Sequence, residues 1–394
     1  MSRIDELIAK LAPRGVELKT LGEVGDFIRG NGLQKSDLTD SGAPAIHYGQ
    51  IHTHYGVWAR ATKSFTDPAL ASKLRRAKPG DLIIVTTSED DAAVAKATAW
   101  IGDSEVAVSG DAYIYRHSLE PRYAAYFFQS EQFQRQKTSH ISGTKVRRIS
   151  GASLAKIRIP VPPLEVQKEI VRILDQFAQL EAELEAELEA RRRQYLHYSS
   201  ALLDLVDYPL LTLLRVDEIC AVNRGIVISK DYLRDHPGSF PVYSSQTANE
   251  GVFGYIDTFA FHDEESITWT TDGANAGSVF YHRNKKFTIT NVCGRLVVRN
   301  SAVLARYLYF QLRHRAKAYV NAGMGNPKLM ANHMSAVKIP VPRLEEQRRI
   351  VSLLDKFDLL VNDLSVGLPA ELAARRKQYE YYRDKLLTFE EAAA

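Results

Sequence analysis

The stretch GTKVRR, from Gly143 to Arg148, sets Lys145, Arg147 and Arg148 beside a glycine and a threonine hydroxyl. Closely spaced cations and hydroxyls on a flexible backbone suit phosphate oxygens. RHRAK (313–317), led by Arg313, and Lys328 repeat that composition later in the chain. Two other loops are polar and laced with aromatics. HYGQIHTHYG (47–56) offers His47, Tyr48, Gln50, His52 and His54, and YSSQTANEGVFGY (243–255) offers Tyr243, Ser244, Gln246 and Asn249. Amide side chains can bond adenine bidentately and Arg or Lys can bond guanine, so such loops could read base edges. Lys35, Asn275 and two threonine pairs behind apolar strand-like runs, Thr86-Thr87 and Thr270-Thr271, complete the set of candidate DNA contacts. Any one of these residues would also fit an ordinary polar loop; the duplication of the basic blocks makes the case.

Other chemistry lacks its residues. There is no GxxxxGK(S/T) phosphate loop, and GNG (30–32) and GMGNP (323–327) lack the glycine spacing of a dinucleotide fingerprint. Asn326-Pro327-Lys328-Leu329 lacks the second proline and the aromatic of an adenine methyltransferase. His52 and His54 have no Cys or carboxylate neighbours at ligand spacing, so no metal is expected. Glu89-Asp90-Asp91 reads as a solvated loop rather than a cation site. No cofactor is expected, and no nucleophile arrangement is legible.

What positions the loops is a long repeat. IPVPPLEVQKEIVRILDQF (159–177) and IPVPRLEEQRRIVSLLDKF (339–357) share the same prolines, first-turn glutamates and apolar period. The prolines forbid helix before about residue 163 or 343. Then Ile170, Leu174, Phe177, Leu180, Leu184, Leu188, Tyr195, Tyr198 and Leu202 follow at spacings of three, four and seven. The second copy runs Ile350, Leu354, Phe357, Leu360, Leu364, Leu368, Leu372, Tyr379, Tyr382 and Leu386. One narrow apolar stripe on a long helix needs a partner, and its own repeat is the nearest candidate. Leu184 and Leu188 are expected against the Leu364–Leu372 seam. RRRQY (191–195) and RRKQY (375–379) are offset by four residues more than the helix starts, which places an insertion at VGLP (366–369), where Pro369 should break the helix near Gly367.

The sequence thus predicts an α+β chain of two globular blocks alternating with two long helices that pack as an antiparallel coiled coil. The boundaries are 1–158 (first block, with a short N-terminal helix), 159–206 (first helix), 207–338 (second block), 339–389 (second helix) and 390–394 (tail). Charge follows this division: the net is +5 over 1–158 and again over 209–338, against −5 over 159–208 and −1 over 339–394. Length (394 residues), 45% hydrophobic and 25% charged residues suggest two or three globular domains. With no run of eighteen apolar residues, no membrane span or leader is expected; two cysteines fit a reducing cytoplasm.

With its repeated IPVP helix starts, AELEAELEARRRQY, GLPAELAARRKQYEYYRDKLL (367–387), GMGNPKLMANHMSAVKIPVP (323–342) and GVELKTLGEV near the start, the chain resembles a specificity subunit of a type I restriction–modification system. The resemblance implies that each globular block is a target recognition domain reading one half of a split sequence in double-stranded DNA. It implies that the helices, through Leu174, Phe177, Leu184, Leu188, Leu354, Phe357, Leu364 and Tyr379, space the halves and dock two modification (methyltransferase) subunits. Restriction (endonuclease/translocase) subunits would join them, and adenine methylation and ATP-dependent cleavage would belong to those partners, leaving this subunit non-catalytic. The two blocks differ strongly, which points to an asymmetric target. A diverged DNA methyltransferase or nuclease would instead bind a cofactor, and a coiled-coil scaffold that never touches DNA would leave both basic blocks unexplained.

Overall fold

The computed structural model describes residues 3–204, 211–321, 325–363 and 365–392. They fall into two compact units, Met1–Glu185 with Leu372–Ala394, and Ala186–Glu371. Each unit therefore combines one globular block, the first part of the helix that follows it, and the last part of the other helix.

In the first unit a five-stranded sheet runs in the order Gly25–Arg29, Ala112–His117, Leu82–Val85, Ala97–Trp100, Trp58–Ala59. Strands Leu82–Val85 and Ala97–Trp100 are buried at every residue, as their unbroken apolar or small composition requires. Helix Pro121–Phe127 packs on this sheet with Tyr123, Tyr126 and Phe127 fully buried; Pro121 opens it and the Glu120 carboxylate caps it at Tyr123 N. A second sheet, Ser64–Thr66, Ala43–Ile46, Val106–Val108, Arg76–Ala77, carries the loops that follow.

The second unit repeats the scheme with fewer elements. One six-stranded sheet runs Cys220–Arg224, Cys293–Val298, Phe261–Thr270, Val279–Ile289, Phe240–Tyr243, Val252–Ile256. Helix Ala305–Arg315 takes the place of Pro121–Phe127.

The start of each long helix is fastened the same way. Tyr123 Oη donates to Pro160 O (3.0 Å), Gln167 Nε2 to Pro162 O (2.7 Å), and Gln167 Oε1 accepts from Glu120 N (2.9 Å). In the second unit Tyr307 Oη donates to Pro340 O (2.7 Å), Gln347 Nε2 to Pro342 O (2.8 Å), and Gln347 Oε1 accepts from Leu304 N (2.9 Å). The Ile-Pro-Val-Pro segments are short antiparallel strands, Arg158–Val161 on Glu17–Thr20 and Lys338–Val341 on Thr212–Arg215. Proline has no N–H to give a ladder, and in both units the tyrosine and glutamine bind the proline carbonyls.

The first helix is continuous from Leu164 to Asp204. In the first unit it lies antiparallel to helix Leu368–Leu386: Phe177 stacks on Tyr382 (5.5 Å between centroids), and further along Arg376 binds Glu181 (2.6 Å) and Glu185. In the second unit its later turns meet helix Leu344–Asn362, where Phe357 stacks on Tyr198 (6.2 Å) and tilts against Tyr195 (6.4 Å). The two aromatic clusters are copies of each other. Leu174 and Leu354 are fully buried, Leu188 and Leu372 nearly so, and Leu184, Phe177, Phe357 and Tyr379 half-buried. The expected stripe needs correction. Leu180 (50% exposed), Leu360 (39%), Tyr198 and Tyr382 are exposed, and Val361, Leu203 and Leu387 are buried in place of Leu360, Leu202 and Leu386. A 3.6-residue period drifts from strict three-four spacing, so a neighbouring residue takes the inward position. Leu364 lies outside the described residues. The second helix does break: Leu344–Asn362 and Leu368–Leu386 are separate. Asp363 Oδ1 caps the turn through Ser365 N (2.7 Å) and Val366 N (3.2 Å). A Cβ on Gly367 would stand 2.4 Å from Leu359 O, so only glycine fits there.

Candidate nucleic-acid interface

In the first unit the candidate residues gather where the two sheets end. His47 caps helix Tyr48–Thr53, its Nδ1 accepting from Gly49 N (3.2 Å), and Tyr48 N donates to Ser109 Oγ (2.8 Å). Lys35, His47 and Tyr48 line a cleft of about 510 Å³ with Arg29, Gln34 and Asp111. Burial lowers the His47 pKa, with Asp111 opposing and Lys35 adding to the effect. Buried Thr86 donates to Asp111 O from both N and Oγ1 (3.0 Å each) and so ties the end of its strand to this cleft. His52 Nε2 donates to Thr87 O (3.3 Å), which brings in the next loop.

There the GTKVRR segment lies as a small hairpin. Ser142 and Arg148 exchange backbone bonds (2.9 and 2.8 Å), and Arg147-Arg148 pair with Thr87-Ser88. Gly143 sits at φ +92°, and a Cβ on it would stand 2.2 Å from Val146 O, so the tight tip needs glycine. Lys145 and Arg148 are exposed; Arg147 is tied down by Asp91 (2.8 Å) and by Gly143 O (2.6 Å). Buried Lys137 holds the Asp91 loop from below, its Nζ donating to Ala92 O (3.1 Å) and Val94 O (3.0 Å); desolvation brings its pKa down to about 8.

The second unit has the same backbone pairing on different residues. Asn321 and Lys328 exchange backbone bonds (2.8 and 3.0 Å), and Lys328 bridges to Asp272 behind the threonine pair. Leu329 N donates to Thr271 O (2.8 Å), as Ile149 N does to Thr86 O (3.1 Å). Lys328 Nζ lies 3.7 Å from Asp272 Oδ1. Ser244 Oγ accepts from Thr290 Oγ1 (3.0 Å), and Gln246 Nε2 donates to Val252 O. Asn249 (φ 49°) and Asn275 are exposed, the former on a turn beside Tyr255, Lys285 and Lys286.

Several candidates are placed elsewhere. Thr86, Thr270 and Thr271 are buried with their hydroxyls bonded internally, Thr270 to Asn275 O and Thr271 to Asp272 Oδ2 (2.6 Å). Tyr243 is core, 4.3 Å from the His282 ring and 5.4 Å from Phe287. Both ends of the Gln50 amide are occupied, Oε1 by His47 N (3.0 Å) and Nε2 by Ser64 Oγ (2.8 Å). RHRAK belongs to the helix contact: Arg313 pairs with Asp358 (2.8 Å) and lies over the Tyr195 ring, while His314 and Arg315 bind Asp204 (2.9 and 3.3 Å). His54 is exposed with its ring edge-on to Tyr55. Sequence reading passed over two groups. Lys230 stands after Gly225 as Lys35 stands after Gly30, five residues on, so register alone could have found it. Lys285 and Lys286 lie on strand Val279–Ile289, whose apolar ends hid its charged middle. No group of three or more His, Cys, Asp or Glu side chains among the described residues could hold a metal ion.

The family model for the type I restriction modification DNA specificity domain matches residues 13–190 and again 212–374. A Mycoplasma pneumoniae protein named as a type I specificity subunit is 41% identical over 237 residues, covering 58% of this chain and 92% of that one. A Haemophilus influenzae protein named as a type I restriction enzyme specificity subunit is 32% identical over 267 residues, covering 63% and 68%. Among solved structures, a chain from work on assembly and conformational transition of the type I R-M system superimposes with a TM-score of 0.65 at 19% identity, covering 95% of this chain and 97% of that one. The S subunit of a type I restriction-modification system from M. genitalium gives 0.56 at 17%, covering 95% and 96%.

Proposed function

Because the chain belongs to the type I restriction–modification DNA specificity family, we propose that its two blocks read the two unlike halves of one asymmetric, bipartite duplex target. The observation that carries this reading is a backbone pairing found in both units, Ser142 with Arg148 and Asn321 with Lys328, each ending in a cation and fastened beside a threonine pair by the same backbone bonds. The cations at these pairings supply phosphate contacts, and the loops around them, unlike in the two units, supply base contacts. Two readers in one polypeptide can serve two half-sites, as DNA-binding dimers do with two chains.

The helices serve the partners. Leu180 and Leu360, and likewise Tyr198 and Tyr382, are exposed at matching positions of the two copies. Equivalent apolar faces suit two copies of one modification subunit, with restriction subunits joining that complex and catalysis residing in both kinds of partner. No described helix is long and apolar enough to cross a membrane, and a DNA-reading subunit would work in the cytoplasm.

Selection of bound duplexes from a random library by the purified complex tests the reading. It should enrich two dissimilar short motifs at a constant separation, with affinity falling steeply with salt. Retention of DNA without any enriched motif would refute it.

A further inference from the structure

Val227 is 79% exposed and Ile226 66%, while the next residue, Ile228, is buried against Val242 and Ile256. The loop that carries the pair is held firmly. Ile226 N donates to Ile289 O (3.3 Å), Ile226 bridges to Thr290, and Arg224 Nη2 donates to Asn291 O (2.9 Å). A Cβ on Gly225 would stand 2.1 Å from Ile289 O, so the chain leaves the sheet through a position only glycine can occupy. Thr290 in turn binds Ser244 (3.0 Å). The two side chains thus stand on the rim that carries Ser244, with exposed Lys230 following.

The first unit has the same loop with other residues. Arg29 Nε donates to Gly110 O (2.9 Å) as Arg224 does to Asn291 O, and Gly30-Asn31-Gly32-Leu33 stands where the second unit has Gly225-Ile226-Val227-Ile228. There the loop is covered by its own domain: Asn31 binds Lys73 O (3.3 Å) and Arg75 N (2.6 Å), and Gly32 lies against Leu74. Among the described residues the second unit has no counterpart of that covering segment: strand Phe240–Tyr243 pairs directly with Val252–Ile256. Two β-branched side chains, stiff at χ1, are therefore presented uncovered at the rim where the first unit turns an asparagine inward.

We infer that Ile226 and Val227 receive thymine methyl groups of the second half-site in the major groove, an inference that rests on the DNA-reading assignment above. Thymine alone among the bases presents a methyl group there, and apolar side chains are its natural partners. Exposed Lys230, just beyond in the chain, provides the anchoring charge, and the fixed backbone makes the contact selective.

The test uses the full chain assembled with its modification subunits and the target found by selection. Each thymine is replaced in turn by deoxyuridine, which removes only the methyl group. At one or two positions of a single half-site the wild type should lose about fourfold in affinity per methyl. The Ile226→Ala/Val227→Ala variant, whose melting should match wild type because both side chains are exposed, should bind thymine and deoxyuridine targets alike at those positions. Equal deoxyuridine penalties in wild type and variant, or no penalty anywhere, would overturn the inference. So would a variant that reads DNA normally but fails to assemble with the modification subunits, which would make the pair a protein contact. A wild-type complex that selects no sequence at all would instead sink the DNA-reading assignment itself.

Discussion

Replacing Lys145 and Arg148 together by alanine removes two exposed cations of the first hairpin, neither bonded through its side chain to another described residue. If each contacts one phosphate, each contributes about 0.9 to the slope of log affinity against log salt, so the double variant should lose about 1.8. Between roughly 50 and 200 mM salt, a fourfold change, the wild type should therefore lose about twelvefold more affinity than the variant does. Stability should move by less than about 0.5 kcal/mol, because both side chains are on the surface. Arg147→Ala should behave differently. Its guanidinium is already held by Asp91 and Gly143 O, so its loss loosens the hairpin and should change the slope by well under one. Fluorescence anisotropy on specific and scrambled duplexes over a salt series measures all three. The reasoning fails if Arg147→Ala lowers the slope by a full unit while the double variant leaves it unchanged.

Other outcomes follow from the same contacts. Gln347→Leu strips three buried bonds, to Ala302 O, Pro342 O and Leu304 N, and should destabilise the second unit by roughly 3–5 kcal/mol in denaturant melts, against little effect at exposed Arg348. His282 is buried and His117 half-buried, and both are neutral, their pKa values pushed down by desolvation to about 3 and about 4. The unfolded chain takes up protons below its ordinary histidine value while the folded chain does not. Stability should therefore be full above pH 6.5 and fall by roughly 3 kcal/mol per histidine by pH 4, a fall that His117→Asn and His282→Asn reduce in pH-dependent melts. Inserting one further AELE after Glu189 lengthens the first helix by about 6 Å. If that helix sets the gap between half-sites, methylation mapping should show it widened by one or two base pairs of about 3.4 Å each, with both half-sites unaltered; an unchanged gap would exclude the helix as the spacer.

The helices were legible because their signal is local. Proline before the first turn, a repeated apolar period and the Gly367-Pro369 break are each decided within a few residues. What sequence could not rank was which of two adjacent apolar residues turns inward, as at Leu360 and Val361, because that depends on accumulated helical phase. The site was legible as loops but not as side chains. Thr86, Thr270 and Thr271 look like free hydroxyls in sequence and are buried at strand ends, where Asp111 O, Asn275 O and the neighbouring Asp272 carboxylate consume them. Gln50 looks like a base reader and is a helix cap partner, while Arg313 looks like a phosphate ligand and meets a helix carboxylate 45 residues away in sequence. Polar residue type states what a group can bond; only the fold decides which bonds are already made.

Adenine methylation mapped across a genome in cells expressing this chain with its modification subunits tests the central claim most directly. Two unlike readers in one chain predict a single motif of two dissimilar half-sites, separated by a constant number of unspecified bases, with no palindromic version. A palindromic motif, or one uninterrupted short sequence, would contradict the account.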